Sequence, residues 1–78
     1  MPKSLRSPEH RALIAVLVGA RKAAGVSQAQ LAKKINWSQS EVSRVELGER
    51  RLDVIEFTAW ARVLTDDPIA MYTRFVNY

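Results

Sequence analysis

SQAQLAKKINWSQSEVSRVELG, residues 27–48, reads as two short helices joined by a tight turn. Both halves open in the same way. Ser27 is followed three residues on by Gln30, and Ser38 by Glu41. That is capping-box spacing, in which the first side chain accepts from the N3 amide and the N3 side chain reaches back to the cap. Between the halves lies Ile35-Asn36-Trp37, and Asn is among the few residues that tolerate the left-handed backbone of a sharp turn. Ala29, Leu31, Ala32 and Ile35, then Val42 and Val45, are apolar where two helices crossing steeply need them, with small Ala32 at the closest approach. Gln39, Ser40, Ser43 and Arg44 fall outside that core at i, i+1, i+4 and i+5, one hydrogen-bonding face of the second helix.

Working outward, the 78 residues, 47% of them hydrophobic, suffice for one small domain. A core of that size is marginal and calls for good packing or a partner subunit. With no cysteine there is no disulfide or thiolate-zinc staple, which fits a reducing compartment. The apolar run Ala12–Val18 is too short for a bilayer, which needs about 20 residues. Arg21 and Lys22 stand where a signal-peptide cleavage site would lie, so the run reads as a buried helix. No membrane association is expected, and a cytoplasmic, nucleoid-associated location is.

Net charge is +4 and the sequence pI about 10.0. The charge is unevenly spread: residues 1–20 carry +2, residues 21–51 carry +4 and residues 52–78 carry −2. The positive excess surrounds the opening stretch, which suggests a polyanionic partner. A solvated basic surface accounts for the same charge equally well.

Residues 1–6 are polar, basic and interrupted by Pro2, which predicts a flexible arm. Ser7-Pro8 then starts a helix, with serine as cap and proline at the first position, where a missing N–H is harmless. Leu13, Ile14, Leu17 and Val18 give its buried stripe, and Gly25 stops it after about Ala24. Gly19 lies inside this helix, and a close helix–helix approach would explain it. His10 has no second histidine and no cysteine to share a metal, so it reads as a solvated or packed side chain.

Gly48 ends the third helix, and Glu49-Arg50-Arg51 form an exposed connector. Asp53 with Glu56 caps a fourth helix through Leu64, whose inward stripe is Val54, Phe57, Trp60, Ala61 and Leu64. Asp67-Pro68 opens a last helix to about Val76 that is apolar on two sides, Ile69, Tyr72 and Val76 on one and Met71, Phe75 and Tyr78 on the other. A terminal helix buries one side against its own domain, so the other is expected to contact a second subunit. The segment 67–78, through Met71, Tyr72, Phe75 and Tyr78, is the expected dimer contact. Nothing reads as a strand, and the chain is predicted to be an all-α, compact five-helix bundle over residues 7–78.

From about Val18 to Leu64 the chain resembles the phage-repressor and Cro-type helix-turn-helix domain, also called the xenobiotic-response-element (XRE) type. The matching pieces are ARKAAGVSQAQLAKKI, SQSEVSRVELGERRLD and FTAWARVL, in the family's order and spacing. S-Q-x-x-L-A at the opening and S-x-x-E-x-G at the close are specific in combination. The resemblance implies a lambda-repressor-like DNA-binding domain in a small bacterial or phage transcriptional regulator. It implies that Gln28 bonds a DNA phosphate at a helix N-terminus. It places Ser38, Gln39, Ser40, Ser43 and Arg44 on the recognition helix, and it pairs Arg21 with Glu46 as an ion pair between the first and third helices. Asn36 stands where the family has glycine. Trp37 is unusual there, with packing over the turn favoured over contact with DNA or a partner because an exposed tryptophan is costly.

The residue chemistry agrees with that assignment. Arg can pair bidentately with guanine and Gln with adenine, while serine serves phosphate or base. Lys22, Lys33, Lys34, Arg50 and Arg51 are candidates for phosphate contacts, Arg50 and Arg51 most of all because their connector follows the recognition helix. The expected function is sequence-specific binding of double-stranded DNA by a homodimer, as a repressor. The alternative is an antitoxin or adaptor whose main role is binding a protein partner, motivated by Trp37 and the two-sided last helix. An enzyme is not expected, because no metal-ligand set, activated nucleophile or phosphate-binding glycine loop is present. No cofactor is implied.

Overall fold

The computed structural model describes residues 7–78; the arm expected at 1–6 lies outside the described residues. Five α-helices follow in order: α1 Pro8–Ala23, α2 Gln28–Ile35, α3 Gln39–Glu46, α4 Val54–Leu64 and α5 Pro68–Val76. Among the described residues there is no strand. No single helix is long and apolar enough to cross a membrane.

The helix starts form through local hydrogen bonds written into the sequence. Ser27 accepts from the Gln30 amide (3.0 Å) while Gln30 Oε1 accepts from the Ser27 amide (2.8 Å). The same reciprocal box closes at Ser38 with Glu41 and at Asp53 with Glu56. Ser7 and Asp67 cap α1 and α5, each ahead of a proline in the first turn. The first three helix ends share one geometry. Gly25 (φ 71°), Asn36 (φ 62°) and Gly48 (φ 81°) are left-handed. Across each, an amide returns to a carbonyl five residues back: Val26 to Arg21 (3.1 Å), Trp37 to Ala32 (2.8 Å) and Glu49 to Arg44 (2.8 Å). These bonds satisfy carbonyls that the helix itself leaves open.

Leu17, Leu31, Val42, Val45 and Trp60 form the fully buried centre, with Ala20, Ala32, Ala61, Leu64 and Met71 around them. All five helices therefore contribute to one core. His10 is packed rather than solvated, at 6% exposure. Trp60 is wholly buried, and its indole N–H finds no hydrogen-bond partner among the described residues.

Four expectations need correcting. Ala29 is exposed on the outer side of α2 instead of joining the apolar set. Val54 is 75% exposed: it occupies the first turn of α4, which the Asp53–Glu56 box holds at the surface before the inward stripe begins at Phe57. Met71 is 2% exposed and belongs to the protomer's own core, so it makes no intersubunit contact, and Phe75 on the same face is half-buried. The face of α5 left outside is Ile69, Tyr72 and Val76. Gly19 is exposed, and a methyl group added there would meet nothing within 4 Å, so no close helix approach requires it.

Gly19→Ala is accordingly expected to stabilise the fold by about 1 kcal/mol, the propensity difference in a helix interior. Urea denaturation followed by far-UV circular dichroism checks it. A loss of stability would mean that something packs against this stretch of α1.

Arg21 and Glu46 join α1 to α3 through two parallel bonds, Arg21 Nε to Glu46 Oε2 (2.7 Å) and Nη2 to Oε1 (3.0 Å). The guanidinium also donates to the Val26 carbonyl (3.0 Å). Both side chains are largely buried, at 13% and 7% exposure. The carboxylate beside it raises the Arg21 pKa above its ordinary value, chiefly through the hydrogen bond. Glu46→Ala strands a buried guanidinium and is expected to cost about 3 kcal/mol. The double variant Arg21→Ala/Glu46→Ala should lose less than the sum of the singles, as measured by chemical denaturation.

Candidate nucleic-acid interface

The helix-turn-helix unit is α2 and α3, set by Asn36 and the Trp37-to-Ala32 hydrogen bond. Val42 and Val45 anchor the inner side of α3 in the core. That anchoring fixes which side chains remain outside. Gln39, Ser40 and Arg44 are exposed and Ser43 is half-exposed. Together with Gln28 from the start of α2 they line one open hollow. The side chains of Gln39, Ser40, Ser43 and Arg44 make no hydrogen bond or ion pair among the described residues. Their donors and acceptors are therefore presented to solvent on a rigid helix.

Ser38 stands apart from the other four. Its hydroxyl oxygen accepts from the Glu41 amide (3.1 Å) and its hydrogen reaches Glu41 Oε1 (3.2 Å). Those bonds make Ser38 the cap of α3, not an open reading group. The Ser38 amide also donates to Glu41 Oε1 (3.1 Å), and it is the main cause that holds the Glu41 carboxyl below its ordinary pKa.

Gln28 is held by α3. Its Nε2 donates to Glu46 Oε1 at 2.9 Å, the same oxygen that receives Arg21 Nη2. The amide is thereby oriented, and its carbonyl oxygen and second N–H are left for other partners. The capped start of α2 lies beside it, a setting that favours an anion.

The basic residues are spread over α1, α2 and the connector after α3. Lys22, Lys33 and Lys34 are exposed in the last turns of α1 and α2, where a cation also complements the helix dipole. Arg51 is exposed and borders a different hollow, with Ser7, His10, Leu52 and Phe75 near the start of α1. Arg50 is already engaged. Its Nη2 pairs with Glu56 Oε2 at 2.8 Å, and its guanidinium lies 4.4 Å from the centre of the Trp37 ring. Trp37 in turn meets Trp60 edge to face, ring centres 5.8 Å apart. Arg50 is the leading cause of a lowered Glu56 pKa, followed by the Asp53 amide. Sequence reasoning missed this stack, because no periodicity connects a residue before α3 with one after it.

Sequence comparison supports the same picture. The helix-turn-helix family model HTH_3 matches residues 19–65, more than half of the chain. An XRE-family-like protein from Pseudomonas syringae pv. tomato DC3000 has a solved structure that is 40% identical. The match covers 96% of this chain and 92% of that one, with a TM-score of 0.84. The clp gene regulator ClgR from Corynebacterium glutamicum shares the fold at 20% identity, with a TM-score of 0.79 over 91% of this chain and 76% of its own. No curated protein matches in sequence. The chain belongs to the XRE-type helix-turn-helix family, and it is a DNA-binding transcriptional regulator, not an enzyme.

Proposed function

We propose that this regulator binds a specific DNA sequence as a homodimer and acts as a repressor, by occupying the promoter DNA it recognises. The observation that carries the reading is the outer face of α3, where Gln39, Ser40, Ser43 and Arg44 are unpartnered on a helix locked from behind by Val42 and Val45. Arg44 and Gln39 have the geometry for bidentate contact with guanine and adenine, and the serines adapt to base or phosphate. Gln28, oriented by Glu46, contacts a backbone phosphate next to the groove. Lys22, Lys33, Lys34 and Arg51 add attraction that is indifferent to sequence. The protomer measures 30 × 27 × 21 Å, a size at which two adjoining copies can present their α3 helices to half-sites about 34 Å apart. The protein would act in the cytoplasm, at the nucleoid.

The second copy is expected on the α4–α5 face. Ile69 (79%), Tyr72 (51%), Val54 (75%) and Ile55 (78%) are all unusually exposed for apolar side chains. Phe57, Ile69, Tyr72 and Pro68 line a shared groove. Tyr78, at 65% exposure, extends the apolar surface at the C-terminal end of the chain. The same face favours a second reading, an adaptor or antitoxin that binds a different protein there. Co-expression with the neighbouring gene followed by gel filtration separates the two. A stable hetero-complex through this face would displace the simple repressor.

Selection from a random DNA pool, followed by footprinting, tests the central claim, and a palindromic site is the expected result. Arg44→Ala should leave the fold intact and weaken binding to the selected duplex about ten-fold or more, the worth of one bidentate base contact. Unchanged affinity at the same footprint would remove Arg44 from base reading. Lys34→Gln or Arg51→Gln should instead weaken all DNA alike and flatten the salt dependence by about one unit of slope.

Ile69→Lys or Tyr72→Glu should convert the dimer to a monomer in analytical ultracentrifugation while circular dichroism is unchanged. Retention of the dimer by both variants would place the subunit contact elsewhere.

A further inference from the structure

Arg50 lies after α3 and Trp37 before it, yet the two side chains touch. The guanidinium sits 4.4 Å from the ring centre of Trp37 while its Nη2 donates to Glu56 Oε2 at 2.8 Å. Glu56 is itself fixed, because its Oε1 accepts from the Asp53 amide at 2.9 Å in the α4 capping box. Trp37 also meets Trp60, which is fully buried in α4. Both flanks of the recognition helix are thus fastened to α4, one through an indole and the other through a guanidinium, and the two fasteners bear on each other.

We infer that Arg50 is a positioning residue for DNA reading, which acts through Trp37 and Glu56 and not through a backbone phosphate. The proposal rests on the DNA-reading surface described above and deepens it. A phosphate contact needs only a positive charge within reach, and a lysine would serve. The arrangement seen here needs a flat cation that stacks on an indole while its edge reaches a carboxylate, and only arginine does both. Hydrogen bonds to base edges weaken steeply with misalignment, whereas attraction to phosphate tolerates displacement. Loosening the brace therefore harms discrimination between sequences more than it harms affinity for DNA in general. With the guanidinium already paired to Glu56, its removal changes the number of counterions released on binding very little, so the salt dependence stays nearly unchanged.

The test uses the full chain as wild type, Arg50→Lys, Arg50→Gln, Trp37→Leu and the double variant Trp37→Leu/Arg50→Gln. Binding is titrated across salt concentrations on the selected duplex and on a scrambled duplex, and each protein is melted without DNA. The expected result is that Arg50→Lys, Arg50→Gln and Trp37→Leu each lower the ratio of selected to scrambled affinity by roughly five-fold, the scale of one partly desolvated cation–π contact. The double variant should be little worse than either single, in melting as in binding, because both remove one shared interaction. The salt slope should match wild type in all four. Full rescue by Arg50→Lys, with Arg50→Gln flattening the salt slope by about one unit, would overturn the inference and make Arg50 a phosphate ligand. Strictly additive losses would overturn it too, by showing that the two side chains act separately. A wild type that prefers no duplex, with coupled melting intact, would instead fail the DNA-reading proposal and take the positioning role with it.

Discussion

A single carboxylate fixes the relation among the first three helices. Glu46, on the last turn of α3, accepts from Arg21 of α1 through both oxygens and from Gln28 of α2 through one of them. Three helices whose mutual contact is otherwise apolar, and so without directional preference, gain a fixed register from these bonds. A buried carboxylate with one donor would be a liability, since charge taken out of water is repaid only when its lone pairs are satisfied. Here the donors come from two different helices, so the carboxylate has all three bonds only when both are in place. Glu46, which orients Gln28, thus sits on the same helix that carries Gln39, Ser40, Ser43 and Arg44.

How much of this was readable from the sequence depended on how local each interaction is. The helix starts were readable because three are a serine or aspartate with a capping partner three residues on, and the other two are a serine or aspartate followed by proline. Three of the stops were readable because Gly25, Asn36 and Gly48 tolerate positive φ. The polar side of α3 followed from Val42 and Val45 by simple helix periodicity. Periodicity failed on α5, where Met71 and Ile69 are equally apolar and only tertiary packing decides that Met71 goes inward. It failed again at Val54, which falls in register with Phe57 and Trp60 but precedes the part of α4 that the other helices cover. Arg21 and Glu46 came from family resemblance, since no spacing rule joins residues on separate helices. The Trp37–Arg50 contact was hidden for the same reason, and there resemblance gave no help because Trp37 is itself unusual.

The molecule divides its surface by chemistry. Residues 21–51 carry the positive excess and the unpartnered polar groups, whereas residues 52–78 are net acidic and hold most of the exposed large apolar side chains. The charge favours a polyanion over residues 21–51 more than over residues 52–78. This separation allows a second protein chain and a nucleic acid to be accommodated at once without competing for the same side chains. It also explains why Arg50, placed by sequence in the basic connector, is free to turn inward: Glu56 at the edge of the acidic region is the nearest anion offered to it.

The helix ends carry a kinetic consequence. Each helix is capped by residues within its own immediate sequence, and the connections between helices are short. Most native hydrogen bonds can therefore form before any distant parts of the chain meet, so little loop-closure entropy opposes the search. Chains built this way reach their native state in microseconds to milliseconds, orders of magnitude faster than sheet proteins of comparable stability. In a chain that recloses faster than a protease can cut, susceptibility to cleavage follows the equilibrium population of the open form and not the rate at which it opens.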